Sequence, residues 1–501
     1  MLRQQQPTER KMANQCNLLF LYTDEQAFDT MATYGNQLIE MPALNALASE
    51  STVFDQAYVS QPVCTPSRST ILTGLYPHQN GCLKNNIPLP ANVRCLPEMI
   101  TGNYVTGHFG KWHLGDEVFP QHGFIHWRSI EDLYWKYYQP GRDPKTRSSY
   151  HHFLISHGIK PSRGEIFSRT EVTCLPEELS KPAYLAEESC GFIKEYRSQP
   201  FLLYVNFLEP HMPFSGPRNH QYNPEKIPLP ENFSFPPGQT QPLKTRLFHA
   251  WYKEKWNLKT PANWKELRAR YWGLCSLIDT QVGRILQTLK ECGLWDKTII
   301  VFTSDHGDMM GAHQLVAKSV LFEEAIRVPL LIKIPGQKYG RRISGPVSQI
   351  DLVPTLLDLL AQPIPHFLPG KSLRSVLENS RQNQINSDIF VEWNGNNCVF
   401  VPEIPGKAGL SEPLPDLLRQ FGTKEELEKA IADPVRTIVT SEGWKFNWSQ
   451  NGEHELYNLR DDPGGTTNRY NHPGYQSVVK KLEARILQWQ RETEDNNLNL
   501  A

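Results

Sequence analysis

Four short apolar runs punctuate the chain, and each stops abruptly in polar residues. NLLFLYT (17–23) gives way to Asp24 and Glu25, and PFLLYVNF (200–207) to Glu209, Pro210 and His211. TIIVFTS (298–304) ends at Asp305, His306, Gly307 and Asp308, and VPLLIKI (328–334) ends at Pro335 and Gly336. Unbroken apolar runs bounded by turn residues predict strands buried on both faces. Between them the period changes. Leu274, Ile278, Val282, Ile285 and Leu289 recur on one face of a helix expected over 269–290, with Gly293 as its stop. QIDLVPTLLDLL (349–360) reads as another apolar helix, with Pro354 in its early part. Strands alternating with helices imply an α/β fold, a large and mostly parallel sheet sandwiched by helices. In such sheets ligands bind beyond the carboxyl ends of the strands. Three of the runs deliver Asp, Glu or His to that edge.

Residues 120–270 are less regular. Stretches such as FIHWRSIEDLYWKYYQ (124–139) and HAWYKEKW (249–256) are dense in aromatic and charged residues. They read as long insertions around the mouth of a site. Near residue 380 the texture changes again. SRQNQINSD (380–388) reads as a linker, followed by strand-like DIFVEW and VRTIVTS and a final helix with Val478, Leu482, Ile486 and Trp489 in register. The expected organisation is a catalytic α/β domain over residues 1–380 and a smaller C-terminal α+β subdomain over 381–501, with a small sheet and the terminal helix. A chain of 501 residues has room for both.

Composition narrows the function classes. With 39% hydrophobic and 21% charged residues the chain is globular. A formal net charge of -1 provides no basic field for nucleic acid or an anionic membrane. The nine cysteines are scattered, odd in number and free of any C-x-x-C pair, which fits a reducing compartment better than a disulfide framework. The N-terminal MLRQQQPTERKMANQC lacks the apolar core of a signal peptide, and no run reaches bilayer-spanning length. The expectation is a cytoplasmic location, with a leader lying outside this chain left open.

The stretch PVCTPSRSTILTGLYPHQNG (62–81) sets a thiol beside a helix start. Thr65 suits an N-cap, Pro66 the first helical position and Gly74 the stop, which would leave Cys64 just ahead of the helix N-terminus. Free backbone N–H groups and the positive end of the helix dipole welcome an anion there. Arg68, one turn on, adds a fork that matches a tetrahedral oxyanion. The plainer reading of a lone Cys is a buried structural thiol.

C-T-P-S-R matches the C-x-P-S-R signature of the type I, formylglycine-dependent sulfatases of the alkaline phosphatase superfamily, and LTGLYPHQNG resembles its continuation. GKWHLG (110–115), TSDHGDMMGAHQLVAKSVLFEEAIRVPLLIKIPG (303–336) and ELYNLRDDPGGTTN (455–468) are similar to further blocks of that family, in the same order. The resemblance runs from about Asn17 to near residue 495. It implies that Cys64 is oxidised to formylglycine by a formylglycine-generating enzyme during maturation. One hydroxyl of the hydrated aldehyde would attack sulfur as the alcohol leaves, and the other would expel sulfate. It also implies one divalent metal held by Asp24, Glu25, Asp305, His306 and the modified Cys64. Such hard donors suit Ca²⁺ first, with Mg²⁺ and Mn²⁺ open. Glu25 departs from the pattern, since many sulfatases carry a second Asp there and related phosphonate hydrolases carry Gln. A metal ligand and a neighbouring solvated acid are both open roles for it. Arg68 and Lys111 would hold the formylglycine and the sulfate oxygens, and His113 would take a proton as sulfate is expelled. His211 and Lys318 would face the ester oxygen and help the alcohol depart. His78 and His313 read as structural or as supports behind the site, and His151, His152 and His157 as parts of a solvated loop.

The function expected from this is a sulfatase acting on a sulfated small molecule or saccharide, a carbohydrate first, with no nucleic-acid or membrane partner. Trp112, Trp127, Trp135, Trp251 and Trp393 are candidates for stacking on sugar rings. The alternatives are a phosphonate monoester or phosphodiester hydrolase on the same scaffold, and an arylsulfatase. An inactive binding protein is disfavoured, because nucleophile, metal ligands and cations are all present. No G-x-S-x-G, H-E-x-x-H, Walker A or G-x-G-x-x-G motif points to other chemistry.

Overall fold

The computed structural model describes residues 15–395, 410 and 414–496. Its main sheet has nine strands: β1 (Asn17–Asp24), β2 (Thr52–Tyr58), β3 (Val105–Gly110), β4 (His126–Arg128), β5 (Phe201–Pro210), β6 (Thr298–Ser304), β7 (Arg327–Val328), β8 (Leu330–Lys333) and β9 (Arg341–Ser348). They run in the order β4-β3-β5-β1-β6-β8-β2-β7, with β9 pairing β2. From β4 to β6 every pairing is parallel, with Leu18 opposite both Leu202 and Ile299. The run expected as one strand over 328–334 is two short ones, and β8 runs antiparallel to both β6 and β2.

The buried strands alternate between two apolar layers. Leu19, Leu21, Leu203, Val205, Ile300 and Phe302 point to one side of the sheet. Leu18, Phe20, Tyr22, Leu202, Tyr204, Ile299 and Val301 point to the other. This is the period of two of a pleated sheet with both faces covered. Helices Lys181–Glu195 and Pro261–Glu291 pack on the first face. Cys64–Thr73 and Leu352–Leu359 pack on the second. The helix expected over 269–290 begins eight residues earlier, where Thr260 accepts a hydrogen bond from the Asn263 N–H. Its five predicted core positions are all buried.

A second sheet, β10 (Ile389–Trp393), β11 (Val435–Val439), β12 (Trp444–Ser449) and β13 (Glu455–Asn458), is wholly antiparallel. Helix Gln476–Thr493 covers it through Val479, Leu482 and Ile486, packed on Ile438, Phe446 and Leu456. Val479 takes the buried place expected of Val478, which is only partly buried. Residues 380–388 are tied down rather than loose. The Ser344 N–H donates to the Asn383 carbonyl and the Ile385 N–H to the Ser344 carbonyl, and the Arg341 guanidinium donates to the carbonyls of Asn379 and Gln382. No helix among the described residues is long and apolar enough to cross a membrane.

Candidate active site

Because β3, β5, β1 and β6 are neighbours and parallel, their carboxyl ends open at one place. β1 delivers Asp24 and Glu25, β3 leads to Lys111 and His113, β5 to His211, and β6 to Asp305 and His306. At the end of β3, Gly110 has φ 120°, and a Cβ there would lie 1.9 Å from the Asn206 carbonyl oxygen. Only glycine permits that approach.

Helix Cys64–Thr73 points its N-terminus at this opening. The cap position is Val63, so Cys64 is the first helical residue, and Thr65 does not cap. The Thr65 hydroxyl instead donates to the His113 carbonyl at 2.7 Å, tying the helix start to the loop after β3. Ser67 anchors the helix to the Asp305 carbonyl and to Gln349. Gly74 closes it in a left-handed conformation, φ 70°, as expected.

Cys64, Asp24, Asp305 and His306 meet there, with their ligand atoms all within 4.8 Å of one another. Cys64 Sγ lies 3.2 Å from His306 Nε2 and 3.7 Å from Asp24 Oδ1. His306 donates its Nδ1 proton to the Gly307 carbonyl at 3.0 Å, which turns its Nε2 edge toward the cluster. Asp305 Oδ2 is buried and accepts no hydrogen bond, although the Arg68 guanidinium lies 2.8 Å away. A buried carboxylate oxygen with an unused lone pair beside an imidazole and a second carboxylate fits a divalent cation. The Cys64 thiol is the fourth member of the set.

Cations surround these acids. Arg68 pairs with Asp24 at 2.7 Å and donates to the Lys111 carbonyl at 2.9 Å, and Lys111 pairs with Asp24 at 2.6 Å. Burial would raise the Asp24 carboxyl, but Lys111, His211 and Arg68 outweigh it and hold it well below the usual range. Burial and Asp24 push the Cys64 thiol up, yet Lys111, Lys318 and His306 leave it lower than an ordinary thiol. Glu25 turns the other way, toward Lys318 Nζ at 2.8 Å and His211 Nε2 at 3.4 Å. Four of the five residues named from the sequence as metal ligands thus share one cluster, and Glu25 belongs with the His211 side.

His113 sits on the flank nearest Lys111. Its backbone is left-handed (φ 57°), as are those of Glu25 (72°) and Asn86 (64°). Such conformations cost a non-glycine residue about 1–3 kcal/mol and cluster at functional sites. His113 Nε2 lies 2.9 Å from Asn86 Oδ1, while its Nδ1 is buried without a partner. Burial, Lys111 and Arg68 hold its proton affinity well below that of a free imidazole, so it stands neutral and able to accept a proton.

Sequence reasoning missed Asn86, Glu131, Tyr134 and Arg169. The Tyr134 ring packs 4.6 Å from that of His113, and its hydroxyl accepts from Arg169 at 3.1 Å. Arg169 NH1 is 3.5 Å from His211 Nδ1. None of these residues lies in a recognisable block. For Glu131, Tyr134 and Arg169 the signal was the aromatic and charged density of the insertions, and Asn86 lies outside them.

Several side residues sit elsewhere. His78 is held by Glu392 at 2.6 Å and the Thr493 carbonyl at 2.9 Å, and His313 by the carbonyls of Phe235 and Gly464. Both are held by hydrogen bonds away from the Cys64 cluster. His151 departs from the expected solvated loop, being buried on helix Ser149–Ser156 beside Asp132. Trp112 and Trp127 are core residues around His108 and Phe124, and Trp393 is fully buried beneath Lys244. Of the five tryptophans offered for sugar stacking, only Trp135 is strongly exposed, at 42%.

The parallel sheet, the helix aimed at its edge and the acid–imidazole cluster bring Cys64 together with metal-ligating side chains at one strand edge. The Sulfatase family profile matches residues 16–362, and the chain belongs to that family of sulfuric ester hydrolases. It is 28% identical to an ulvan-active sulfatase of Formosa agariphila over 72% of this chain and 65% of that one. It is 26% identical to an N-acetylglucosamine-6-O-sulfatase of Bacteroides thetaiotaomicron over 96% of this chain and 87% of that one. A phosphonate monoester hydrolase of Silicibacter pomeroyi shares its fold with a TM-score of 0.75, at 23% identity, over 97% of both chains.

Proposed function

We propose that this sulfatase hydrolyses a sulfate ester of a carbohydrate, using residue 64 as nucleophile after its oxidation to formylglycine. The observation that carries the reading is the meeting of Asp24, Cys64, Asp305 and His306 with Arg68 and Lys111 packed behind them. These four residues would hold a divalent ion, Ca²⁺ first by the hardness of the mature donor set, which would polarise the ester and favour the ionised nucleophile. Arg68 and Lys111 bind and orient sulfate oxygens. Neutral His113, its Nε2 engaged by Asn86, accepts the proton released at residue 64. His211 donates its Nδ1 proton to the Met212 carbonyl at 2.7 Å, so its Nε2 edge and Lys318 line the path of the departing alcohol. The resemblance to a sulfatase named for N-acetylglucosamine supports the carbohydrate class.

A phosphonate monoester hydrolase remains a second reading, because Glu25 is not Asp and the fold matches such an enzyme. Protein produced with a formylglycine-generating enzyme tests both. Mass analysis of the peptide 63–68 should show the aldehyde or its hydrate at residue 64. kcat/KM should be higher for sulfated saccharides than for a matched phenylphosphonate ester. Active protein carrying only unmodified Cys64, or a preference for the phosphonate, would overturn the reading.

A further inference from the structure

The scissile sulfate seat is deep, with Asp24 and Arg68 side chains at 0% exposure. Exposure rises outward through Lys318 and His211 to Arg169, whose side chain is 18% exposed. Arg169 therefore stands at the mouth, between His211 on one flank and Tyr134, packed on His113, on the other. Its guanidinium is used on one edge only. Nε donates to Glu131 at 2.8 Å, and NH2 donates to Glu131 and Tyr134. NH1 faces His211 Nδ1 at 3.5 Å, but that nitrogen gives its proton to the Met212 carbonyl and offers NH1 no acceptor. Glu131 is in turn shared with Lys181, so one carboxylate faces two cations. Burial pushes the nearby Glu209 carboxyl up to about 7, so it does not cancel that surplus in full at neutral pH.

A positive charge surplus with one guanidinium edge turned toward the leaving-group side is a seat for an oxyanion. We propose that Arg169 binds a second anionic group of the substrate, a carboxylate or a second sulfate carried on the alcohol that departs past His211. The substrate class is then a sulfated saccharide bearing an additional oxyanion. This rests on the sulfatase reading above, with Arg68, Lys111 and the metal cluster already committed to the scissile sulfate.

The test uses formylglycine-bearing enzyme and two matched pairs of probes. One pair is a sulfated disaccharide containing a uronate and its carboxyl-reduced form. The other is a disulfated monosaccharide and its monosulfated counterpart. The enzyme should favour the charged member of at least one pair by about tenfold or more in kcat/KM, as expected for a charge-assisted hydrogen bond, and the pair that responds identifies the anion. Arg169→Gln should bring that ratio to near one, and Arg169→Lys should keep part of it. No preference in either pair, or a preference unchanged in Arg169→Gln, overturns the proposal. Since Arg169→Gln also removes a partner of Glu131, circular dichroism and thermal melting accompany it, and the Arg169→Lys ratio decides if it fails to fold. Absence of sulfate release from every probe would instead count against the sulfatase reading. In that case calorimetry on Cys64→Ser, comparing the two members of each pair, still shows whether the charged one binds more tightly and whether Arg169→Gln removes the difference.

Discussion

Glu131 gives a quantitative test of the ion network that seats Arg169. Its carboxylate is buried between Arg169 and Lys181. Burial alone would raise its proton affinity, but the two cations outweigh it and bring the pKa from 4.5 down to about 2. That gap corresponds to roughly 3 kcal/mol at neutral pH. A carboxyl depressed in the folded state stabilises fully above its unfolded value, and the contribution fades as pH falls toward the folded one. By pH 3 about 2 kcal/mol of it should be gone. For a chain of this length the unfolding entropy is on the order of 1 kcal/mol per kelvin, so the loss is about 2 °C in Tm. Glu131→Gln removes the titration and leaves Arg169 and Lys181 without their counter-charge, a penalty that offsets the variant at every pH. The assay compares melting of parent and variant between pH 7 and pH 3 at one fixed scan rate, because a large chain can unfold irreversibly. The parent should melt higher at pH 7, and the gap should narrow by about 2 °C on the way to pH 3. A gap that stays constant over that range would refute the claim that Glu131 is ionised by its two cations.

Asp305→Ala should abolish both turnover and divalent-metal binding measured by calorimetry, whereas Glu25→Gln should leave metal binding largely intact, since Glu25 faces Lys318 and His211. Full activity after exhaustive chelation would contradict the metal assignment. His211→Ala should slow a sulfated sugar more than nitrophenyl sulfate, by up to about 10²–10⁴ if it aids an otherwise poor leaving group. Equal losses on both substrates would remove it from that role. His113→Ala should slow both substrates to a similar rate, and quenched samples should retain the mass of sulfate on residue 64.

The sheet was readable because β1, β5 and β6 are buried on both faces and so appear as unbroken apolar runs that end in acids and histidines. β4 was invisible, being three residues long within an aromatic stretch. Helix Lys181–Glu195 was hidden in the supposed insertions, although Ser180 caps it and Phe192 and Ile193 bury its face. Cys64, Arg68, Lys111 and the Asp305–His306 pair came from local motifs, which are written in consecutive residues. Asn86, Glu131, Tyr134 and Arg169 join the site through contacts 27 to 50 residues apart in sequence, and through the Tyr134–His113 ring contact, and no local pattern encodes those. Glu25 was the intermediate case. Its position was legible, but its left-handed backbone, which turns the side chain toward Lys318, was not.

The burial of Cys64 also has a consequence in time. The thiol is 1% exposed, and part of its cover is His306, which lies 242 residues later in the chain. On a ribosome moving at about 5–20 residues per second, roughly 12–50 s pass between synthesis of the thiol and synthesis of that imidazole. During that interval the segment around residue 64 has no β6 to dock against and stays open to a modifying enzyme. Once β6 is in place, His306 covers part of the sulfur and leaves it 1% exposed. On the formylglycine reading, the fraction of active enzyme in a preparation would be set by a race between oxidation and folding, and slowing synthesis between residues 64 and 306 would lengthen the time in which oxidation can win.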